Sequence, residues 1–147
     1  MRIAPAKPED AADWGEMREA LWPGGGSEHS NDIARLLVDA GKTANFIARD
    51  DNSVALGFAE ASLRHDYVEG CKTSPVAFLE GIFVRQEARG RGVARALVQA
   101  VEEWGRVCGC TEFASDAATD NFASHSMHAA LGFEETRRVV YFRKLLG

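Results

Sequence analysis

The strongest constraint on the fold of this chain is the segment from Leu79 to Ala94, in which an apolar strand leads through a glycine-rich basic turn into a helix. The turn consists of Arg89, Gly90, Arg91 and Gly92. A helix that starts at such a turn presents unpaired backbone N–H groups at its positive end, where an anion such as phosphate is stabilised. The glycines allow close approach of the backbone, and the arginines can add charge-assisted hydrogen bonds. The segment therefore predicts an anion site between a strand and a helix.

The rest of the chain predicts one domain, spanning residues 1–147, because this length suits a single core and no linker or repeat divides it. Apolar alternation, helical spacing and turn residues predict the following elements in order: strand Arg2–Ala6, a helix from near Pro8, a helix from about Asn31 to a stop at Gly41, strands Ala44–Arg49, Val54–Leu63 and Pro75–Val84, a helix that follows Gly92 and is ended by Gly109, strand Thr111–Ser115, helix Asn121–Leu131 and strand Val139–Leu145. This order predicts an α/β or α+β domain with a mixed sheet covered by helices.

Composition excludes several classes of protein. Apolar residues make up 46% of the chain and charged residues 27%, which is ordinary for a globular domain and disfavours disorder. A net charge of −5 disfavours a broad nucleic-acid surface, and no apolar run is long enough to cross a membrane. The excess of acidic residues lies before Glu80, with 13 Asp and Glu against 8 Lys and Arg. Such a half can attract a cationic molecule or be a solvated surface.

The three cysteines, Cys71, Cys108 and Cys110, predict reduced structural thiols. An odd number with no secretory leader is typical of a cytoplasmic protein. The Cys108–Cys110 spacing is too short for a usual zinc knuckle, and His125 and His128 have no evident third ligand. We therefore expect no metal and a cytoplasmic location.

The turn resembles motif A of the GNAT superfamily of N-acetyltransferases, whose Gln/Arg-x-x-Gly-x-Gly/Ala pattern is matched by Arg89, Gly92 and Ala94. The resemblance extends over the whole chain to the closing Ala-Leu-Gly-Phe at 130–133. It implies acetyl-CoA as co-substrate, held in a splayed parallel strand pair of a mixed sheet with about four helices. The residues implied for cofactor binding are Ile82, Phe83 and Val84 along the pantetheine arm, Arg89, Gly90, Arg91, Gly92, Val93 and Ala94 at the pyrophosphate, and Asn121. Asn121 can equally be a helix N-cap.

Two carboxylates are candidates for the acceptor end. An amine must lose a proton before it attacks a thioester, and a carboxylate can accept that proton directly or through water. Glu80 precedes the cofactor segment inside an apolar strand, and Asp116 ends the following strand. Two acids in one cleft suit a polycation, although each can also be a solvated strand-end carboxylate.

A finer resemblance is to the aminoglycoside 6′-N-acetyltransferases within this superfamily. It rests on Leu-Trp-Pro at 21–23, Arg-His-Asp-Tyr-Val at 64–68 and Ala-Ser-Asp at 114–116. The resemblance implies that Trp22, Tyr67, Glu80 and Asp116 line the antibiotic pocket, where carboxylates bind amino groups and aromatic rings pack on sugars. Trp22 can also be plain helix-end packing and Tyr67 an exposed loop residue.

Three positions depart from these families. Arg137 stands where some relatives carry an acid, which removes one substrate contact or moves it to Glu135. His29, beside the pliable Gly24–Ser27 loop, is a possible substitute substrate ligand. His128 stands where many relatives have a tyrosine that protonates the leaving thiolate, and it can be that acid or a packed histidine.

The leading hypothesis is direct acetyl transfer from acetyl-CoA to the 6′-amino group of aminoglycosides in a ternary complex, with the oxyanion held by a strand amide near Ile82. One alternative is transfer to a polyamine, a peptide N-terminus or a protein lysine. Another is a non-catalytic acyl-CoA sensor. The resemblance also implies a homodimer paired through C-terminal strands, and the run Val139–Phe142 would form an adhesive edge.

Overall fold

The computed structural model describes residues 1–39 and 41–147. In these ranges it contains five strands and four α-helices: β1 (Arg2–Pro5), α1 (Ala11–Leu21), α2 (Ser27–Val38), β2 (Thr43–Arg49), β3 (Ala55–Arg64), β4 (Val76–Val84), α3 (Val93–Val107), β5 (Phe113–Ser115) and α4 (Phe122–Ala130). Single 3₁₀ turns precede α1 at Pro8–Asp10 and α3 at Gln86–Ala88.

The strands form one mixed sheet in the order β1-β2-β3-β4-β5. All neighbours are antiparallel except β4 and β5, which are parallel. The parallel pair is hydrogen-bonded only from Ala77↔Phe113 to Leu79↔Ser115. Among the described residues, positions 80–84 of β4 therefore have a strand on one side only. The predicted α/β class with a splayed parallel pair is confirmed.

Helices cover both faces of the sheet, because neighbouring residues of a strand point to opposite faces. Ile47 and Phe58 face α1 and α2, whereas their chain neighbours Ala48 and Ala59 face α3. The first layer is built on buried Trp14, Met17 and Ile33, and the second on Leu97, Val98 and Val101. Small alanines on the α3 face allow that helix to lie close to the sheet.

A β-bulge interrupts the ladder between β3 and β4 in the middle of the sheet. Glu60 pairs with Gly81 and Ala61 with Leu79, so Glu80 is an extra residue without a partner on β3. Bulges bend a strand and redirect a side chain, and they are frequent beside active sites. Glu80 is accordingly exposed within a strand whose preceding residues, 76–79, are all buried.

Two sequence-based predictions need correction. The predicted strand Val139–Leu145 is wrong, because residues 133–147 form no helix or strand. The run has the β-branched and aromatic residues of a strand but finds no neighbouring strand within the described chain, and a strand needs one. Helix α2 begins at Ser27 rather than near Asn31, since the carbonyls of Gly25 and Gly26 accept the first helical hydrogen bonds.

No helix in the described ranges is long and apolar enough to span a membrane.

Candidate active site

The basic turn before α3 forms an open cradle. Gly90 and Gly92 have φ angles of +77° and +82°, in the left-handed region that favours glycine, and nothing lies within 4 Å of where a Cβ would stand on either. The first turn of the 15-residue helix α3 holds no acidic residue. Arg89 donates a hydrogen bond to the Val84 carbonyl at the end of β4, and Arg91 donates one to the Glu87 carbonyl in the 3₁₀ turn, which holds both guanidinium groups beside the turn. This arrangement fits a polyphosphate.

The free side of β4 lies next to this cradle. Residues Ile82, Phe83 and Val84 pair with β3 on one side, and within the described ranges no strand follows them on the other. Alternate backbone N–H and C=O groups of a strand point to each side, so the free side can accept an extended chain as an added strand. An elongated arm ending in an anion thus has a continuous path from the cradle towards Glu80.

The carboxylate of Glu80 is held by two residues of β3. Ser62 donates its hydroxyl to Oε2 at 2.5 Å. Arg64 donates through Nη2 to Oε1 at 2.8 Å and through Nε to Oε2 at 3.1 Å, a two-pronged contact. The guanidinium of Arg64 also lies 3.5 Å from the centroid of the Phe78 ring. Glu80 is therefore fixed in the free protein, with a cation already beside it.

Trp22, at the C-terminal end of α1, packs directly on the bulged strand. A Cβ on Gly81 would lie 2.4 Å from Cη2 and Cζ2 of Trp22, so only glycine permits this contact. The indole also packs edge-on against Phe58, with centroids 6.1 Å apart, and 4.8 Å from the guanidinium carbon of Arg18. Phe58 and Arg18 thus hold the ring against Gly81, the residue that follows Glu80 in β4.

A buried polar network lies beneath Trp22. Arg18 and Glu60 are each 6% exposed, and Nη1 of Arg18 contacts both carboxylate oxygens of Glu60 at 2.5–2.6 Å. Trp14 Nε1 donates to the same carboxylate at 2.8 Å, and Asp32 accepts from Arg18 Nη2 at 2.9 Å. Burial raises the pKa of Glu60, and the hydrogen bond and charge of Arg18 oppose that rise. The buried charge of Glu60 is therefore balanced by that of Arg18, and the network anchors α1 and α2 to β3.

His29 belongs to this network. Arg18 Nε donates to His29 Nδ1 at 3.1 Å, so Nε2 is the nitrogen that carries hydrogen, 3.1 Å from the Trp22 carbonyl and 3.0 Å from Glu19. Glu19 in turn accepts from the Gly24 amide, and this hydrogen bond lowers the pKa of Glu19. His29 is 6% exposed and has protein partners at both nitrogens. It therefore packs against the Gly24–Ser27 loop.

Tyr67 lies on the loop between β3 and β4. Its ring is 77% exposed, and its hydroxyl donates to Glu69 at 3.1 Å. Glu112 holds the far end of this loop by accepting from the amides of Lys72 and Thr73 and from the Thr73 hydroxyl. Hydrogen bonds from Thr73 and Lys72 lower the pKa of Glu112.

The C-terminal segment touches the same loop. Arg137 pairs with Glu69 at 3.3 Å, and Thr136 lies where a Cβ on Gly70 would stand. Glu135 is paired with Arg138 and exposed, and the Arg138 hydrogen bond lowers its pKa.

Three further predicted residues lie around the end of β5. Asp116 follows directly after Ser115 and is exposed, with no hydrogen bond or ion pair to any residue in the described ranges. Asn121 is the N-cap of α4 and accepts from the Ser124 amide at 3.1 Å. His128 packs on Phe133 with centroids 5.0 Å apart, and its Nε2 lies 2.8 Å from the Ser115 hydroxyl. In the free protein, Asn121 is thus a helix N-cap and His128 is a packed histidine.

Sequence reasoning missed Arg64, Ser62 and the Arg18–Glu60 pair. A signal for the pair existed, because Glu60 is a lone carboxylate in the apolar predicted strand Val54–Leu63 and a buried charge needs a partner. Its partner lies 42 residues earlier, which no local pattern reveals. Among the described residues, no group of three or more His, Cys, Asp or Glu could hold a metal ion.

Comparison with known proteins agrees with this geometry. The model of the acetyltransferase (GNAT) family matches residues 12–133. An aminoglycoside N(6′)-acetyltransferase type 1 of Acinetobacter genomosp. 13 is 49% identical over 147 residues, the full length of both chains. The crystal structure of aminoglycoside 6′-N-acetyltransferase AAC(6′)-Ih from Acinetobacter baumannii is 49% identical, with a TM-score of 0.94 over 99% of both chains. AAC(6′)-Iy in complex with a bisubstrate analogue, CoA-S-monomethyl-acetylneamine, is 48% identical, with a TM-score of 0.92 over 99% of this chain and 98% of that one.

Proposed function

Because this chain belongs to the acetyltransferase (GNAT) family, we propose that it transfers the acetyl group of acetyl-CoA to the 6′-amino group of aminoglycosides, which would confer resistance to those antibiotics. The observation that carries the proposal is Glu80, redirected by the bulge beside the free edge of β4 and directly before Gly81, on which Trp22 packs. Full-length relatives named for this activity support the substrate class.

The cofactor residues follow from the cradle and the free edge. Backbone amides of 89–94 would hold the pyrophosphate of acetyl-CoA, and Ile82, Phe83 and Val84 would pair with the pantetheine arm. Asn121, whose carbonyl oxygen caps α4, retains its side-chain N–H groups for the cofactor. Acetyl-CoA supplies the acetyl group as a thioester.

In the proposed reaction the 6′-ammonium loses a proton to Glu80, directly or through a water, and its nitrogen forms a bond to the acetyl carbon. As the carbon–sulfur bond breaks, the nitrogen loses a second proton to give the neutral amide, and the CoA thiolate takes up a proton. A backbone amide near Ile82 would stabilise the oxyanion. His128 of α4, whose Nε2 lies next to the Ser115 hydroxyl of β5, is the candidate for protonating the thiolate.

The acceptor residues have separate roles. Asp116 is the free carboxylate for a second amino group, and Trp22 and Tyr67 offer flat faces to sugar rings. Glu135 becomes available only if its pair with Arg138 opens. His29, with both nitrogens engaged, shapes the pocket rather than reaching the substrate.

We also propose a homodimer and a cytoplasmic location. Several apolar residues of the C-terminal arm are exposed in the single chain, including Phe142 at 92%, and would be covered by a second copy. The three cysteines are all free thiols, as expected in a reducing compartment.

The test is thiol release from acetyl-CoA with four acceptors: a kanamycin with a 6′-amine, a gentamicin component with a 6′-hydroxyl, spermidine and a lysine peptide. We expect rapid turnover with the 6′-amine alone. Preference for spermidine or the peptide would favour those acceptors instead. Binding of acetyl-CoA without turnover on any of the four would contradict the proposal and favour a sensor.

A further inference from the structure

Arg64, the cation that is paired with Glu80 in the free protein, has no role in the proposed reaction. Arg64 stands beside the carboxylate that an acceptor ammonium must reach, and it makes contacts with both carboxylate oxygens. A carboxylate has about four lone-pair positions, and Arg64 and Ser62 together use most of them. The charge of Glu80 is thereby already matched within the protein.

Phe78 also holds the guanidinium of Arg64 in place. The guanidinium lies 3.5 Å from the centroid of Phe78, a buried ring of β4, so it is stacked as well as paired. Both side chains stand on adjacent strands of the rigid sheet. At the same time the pair is partly exposed, with the Arg64 side chain 43% and the Glu80 side chain 34% accessible, so a solute can reach it.

We propose that Arg64 is a specificity-determining residue: it occupies the ammonium position on Glu80 in the free protein and must be displaced by the acceptor. The inference rests on the proposed function and deepens it. Two cations on one carboxylate repel each other, so an acceptor ammonium gains less from Glu80 while Arg64 remains.

Displacement of Arg64 needs binding energy from elsewhere on the acceptor. Asp116 can supply it, because it is exposed and carries no ion pair within the described ranges. A polycation can place one ammonium on Asp116 and use that contact to bring a second one to Glu80. A molecule with a single ammonium cannot. Arg64 thus excludes monoamines and admits polycationic acceptors.

The experiment compares the wild-type protein with Arg64→Met, which keeps apolar contact with Phe78 but removes the cation. The acceptors are a kanamycin and 6-amino-6-deoxyglucose, which offers the same aminomethyl group with one ammonium. We expect the ratio of kcat/KM for kanamycin over the monoamine to fall roughly tenfold, through a lower KM for the monoamine, with kcat retained. Arg64→Lys, which keeps the charge without the fork or the stacking, should lie between the two.

Arg106→Met is the matched control, because it removes one positive charge from an exposed arginine paired with Glu102 and Glu103 on α3. It should leave the ratio unchanged. An unchanged ratio in Arg64→Met, or a loss of kcat with both acceptors, would overturn the inference while leaving the proposed function intact. Absence of turnover by the wild-type protein on kanamycin would overturn both.

Discussion

At the scale of single residues, Gly81 determines how closely Trp22 approaches the bulged strand. The distal carbons of the indole fill the space where any other residue would place its Cβ. Trp22 thus packs on the residue that directly follows Glu80. Because Gly81 carries a hydrogen atom where alanine would carry a methyl group, Trp22 packs closely on β4, and this contact sets the width of the proposed acceptor site.

Gly81→Ala tests this contact. The added methyl group would lie 2.4 Å from Trp22, so the indole must move, and we expect KM for a kanamycin to rise on the order of tenfold, since misplacement by about 1 Å is costly. Affinity for acetyl-CoA, measured by calorimetry, should change little. Gly15→Ala is the control, because its nearest neighbour, Ile33, is at an ordinary 3.8 Å. Unchanged KM in Gly81→Ala would separate Trp22 from acceptor binding.

Arg18 and Glu60 show the cost of a buried charge at the same scale. Arg18→Met would leave Glu60 buried without its cation, and we expect it to lower the free energy of unfolding by about 3–5 kcal/mol in urea titrations. Adding Glu60→Gln should recover much of that loss, because the amide still accepts from Trp14 without a charge. A double variant as unstable as the single one would contradict this interpretation.

The stability of the single variant Arg18→Met should depend on pH. Burial raises the pKa of Glu60 in the folded state, so without Arg18 the folded protein binds a proton more readily than the unfolded chain. Stability of Arg18→Met should therefore be higher in acid and fall as pH rises through the folded pKa. Unfolding at pH 5 and pH 8 measures it, and a destabilisation that is larger at pH 5 would contradict the assignment.

At the scale of elements, the loop between β3 and β4 carries Tyr67 and depends on Glu112. The amides of Lys72 and Thr73 and the Thr73 hydroxyl all donate to the carboxylate of Glu112, the residue directly before β5. Because these bonds lower the pKa of Glu112, the unfolded chain binds a proton more readily than the folded one. The resulting stabilisation is full above the ordinary glutamate pKa and is lost as pH falls through the folded value.

Glu112→Gln tests the loop. We expect lower thermal stability than wild type at neutral pH, with the difference shrinking towards zero as the pH is lowered below the ordinary glutamate range. The variant should also raise KM for the acceptor without weakening acetyl-CoA binding. A difference in melting temperature that is constant with pH would show that the carboxylate charge does not hold the loop.

Sequence reasoning succeeds for the elements whose pattern is local. Helix α3 follows from apolar residues at helical spacing after Gly92, and the cradle follows from two glycines that alternate with two arginines. It fails where partners are distant in sequence or absent. Arg64 and Glu80 are 16 residues apart and meet only because the strands pair with a bulge. The run Val139–Leu145 has strand propensity, but it has no neighbouring strand among the described residues.

At the scale of the whole molecule, the C-terminal arm is the least covered part of the chain. Tyr141 and Phe142 are exposed, as are Val139, Val140, Leu145 and Leu146. An apolar surface of this kind marks an interaction site, and β5 has a free edge in the described sheet. Both features fit the proposed homodimer.

Light scattering during size-exclusion chromatography measures the assembly. We expect a dimer for wild type and a monomer for Val140→Asp combined with Phe142→Asp, because a buried unpaired charge at the interface is costly. Retained far-ultraviolet circular dichroism would show that the monomer is folded. A wild-type monomer at micromolar concentration would contradict the proposal.

Glu80→Gln isolates the carboxylate from the rest of the site. We expect kcat to fall roughly 10²–10⁴-fold, the range for loss of a general base, with acetyl-CoA binding nearly unchanged. Undiminished turnover would remove Glu80 from the role of base.

The most direct test of the proposed function is the position of the acetyl group on a kanamycin product, read by NMR after incubation with acetyl-CoA and the purified protein. Acetylation at the 6′-nitrogen is the predicted result, with all other amines free. Acetylation of another ring amine, or no product while acetyl-CoA binds, would contradict it.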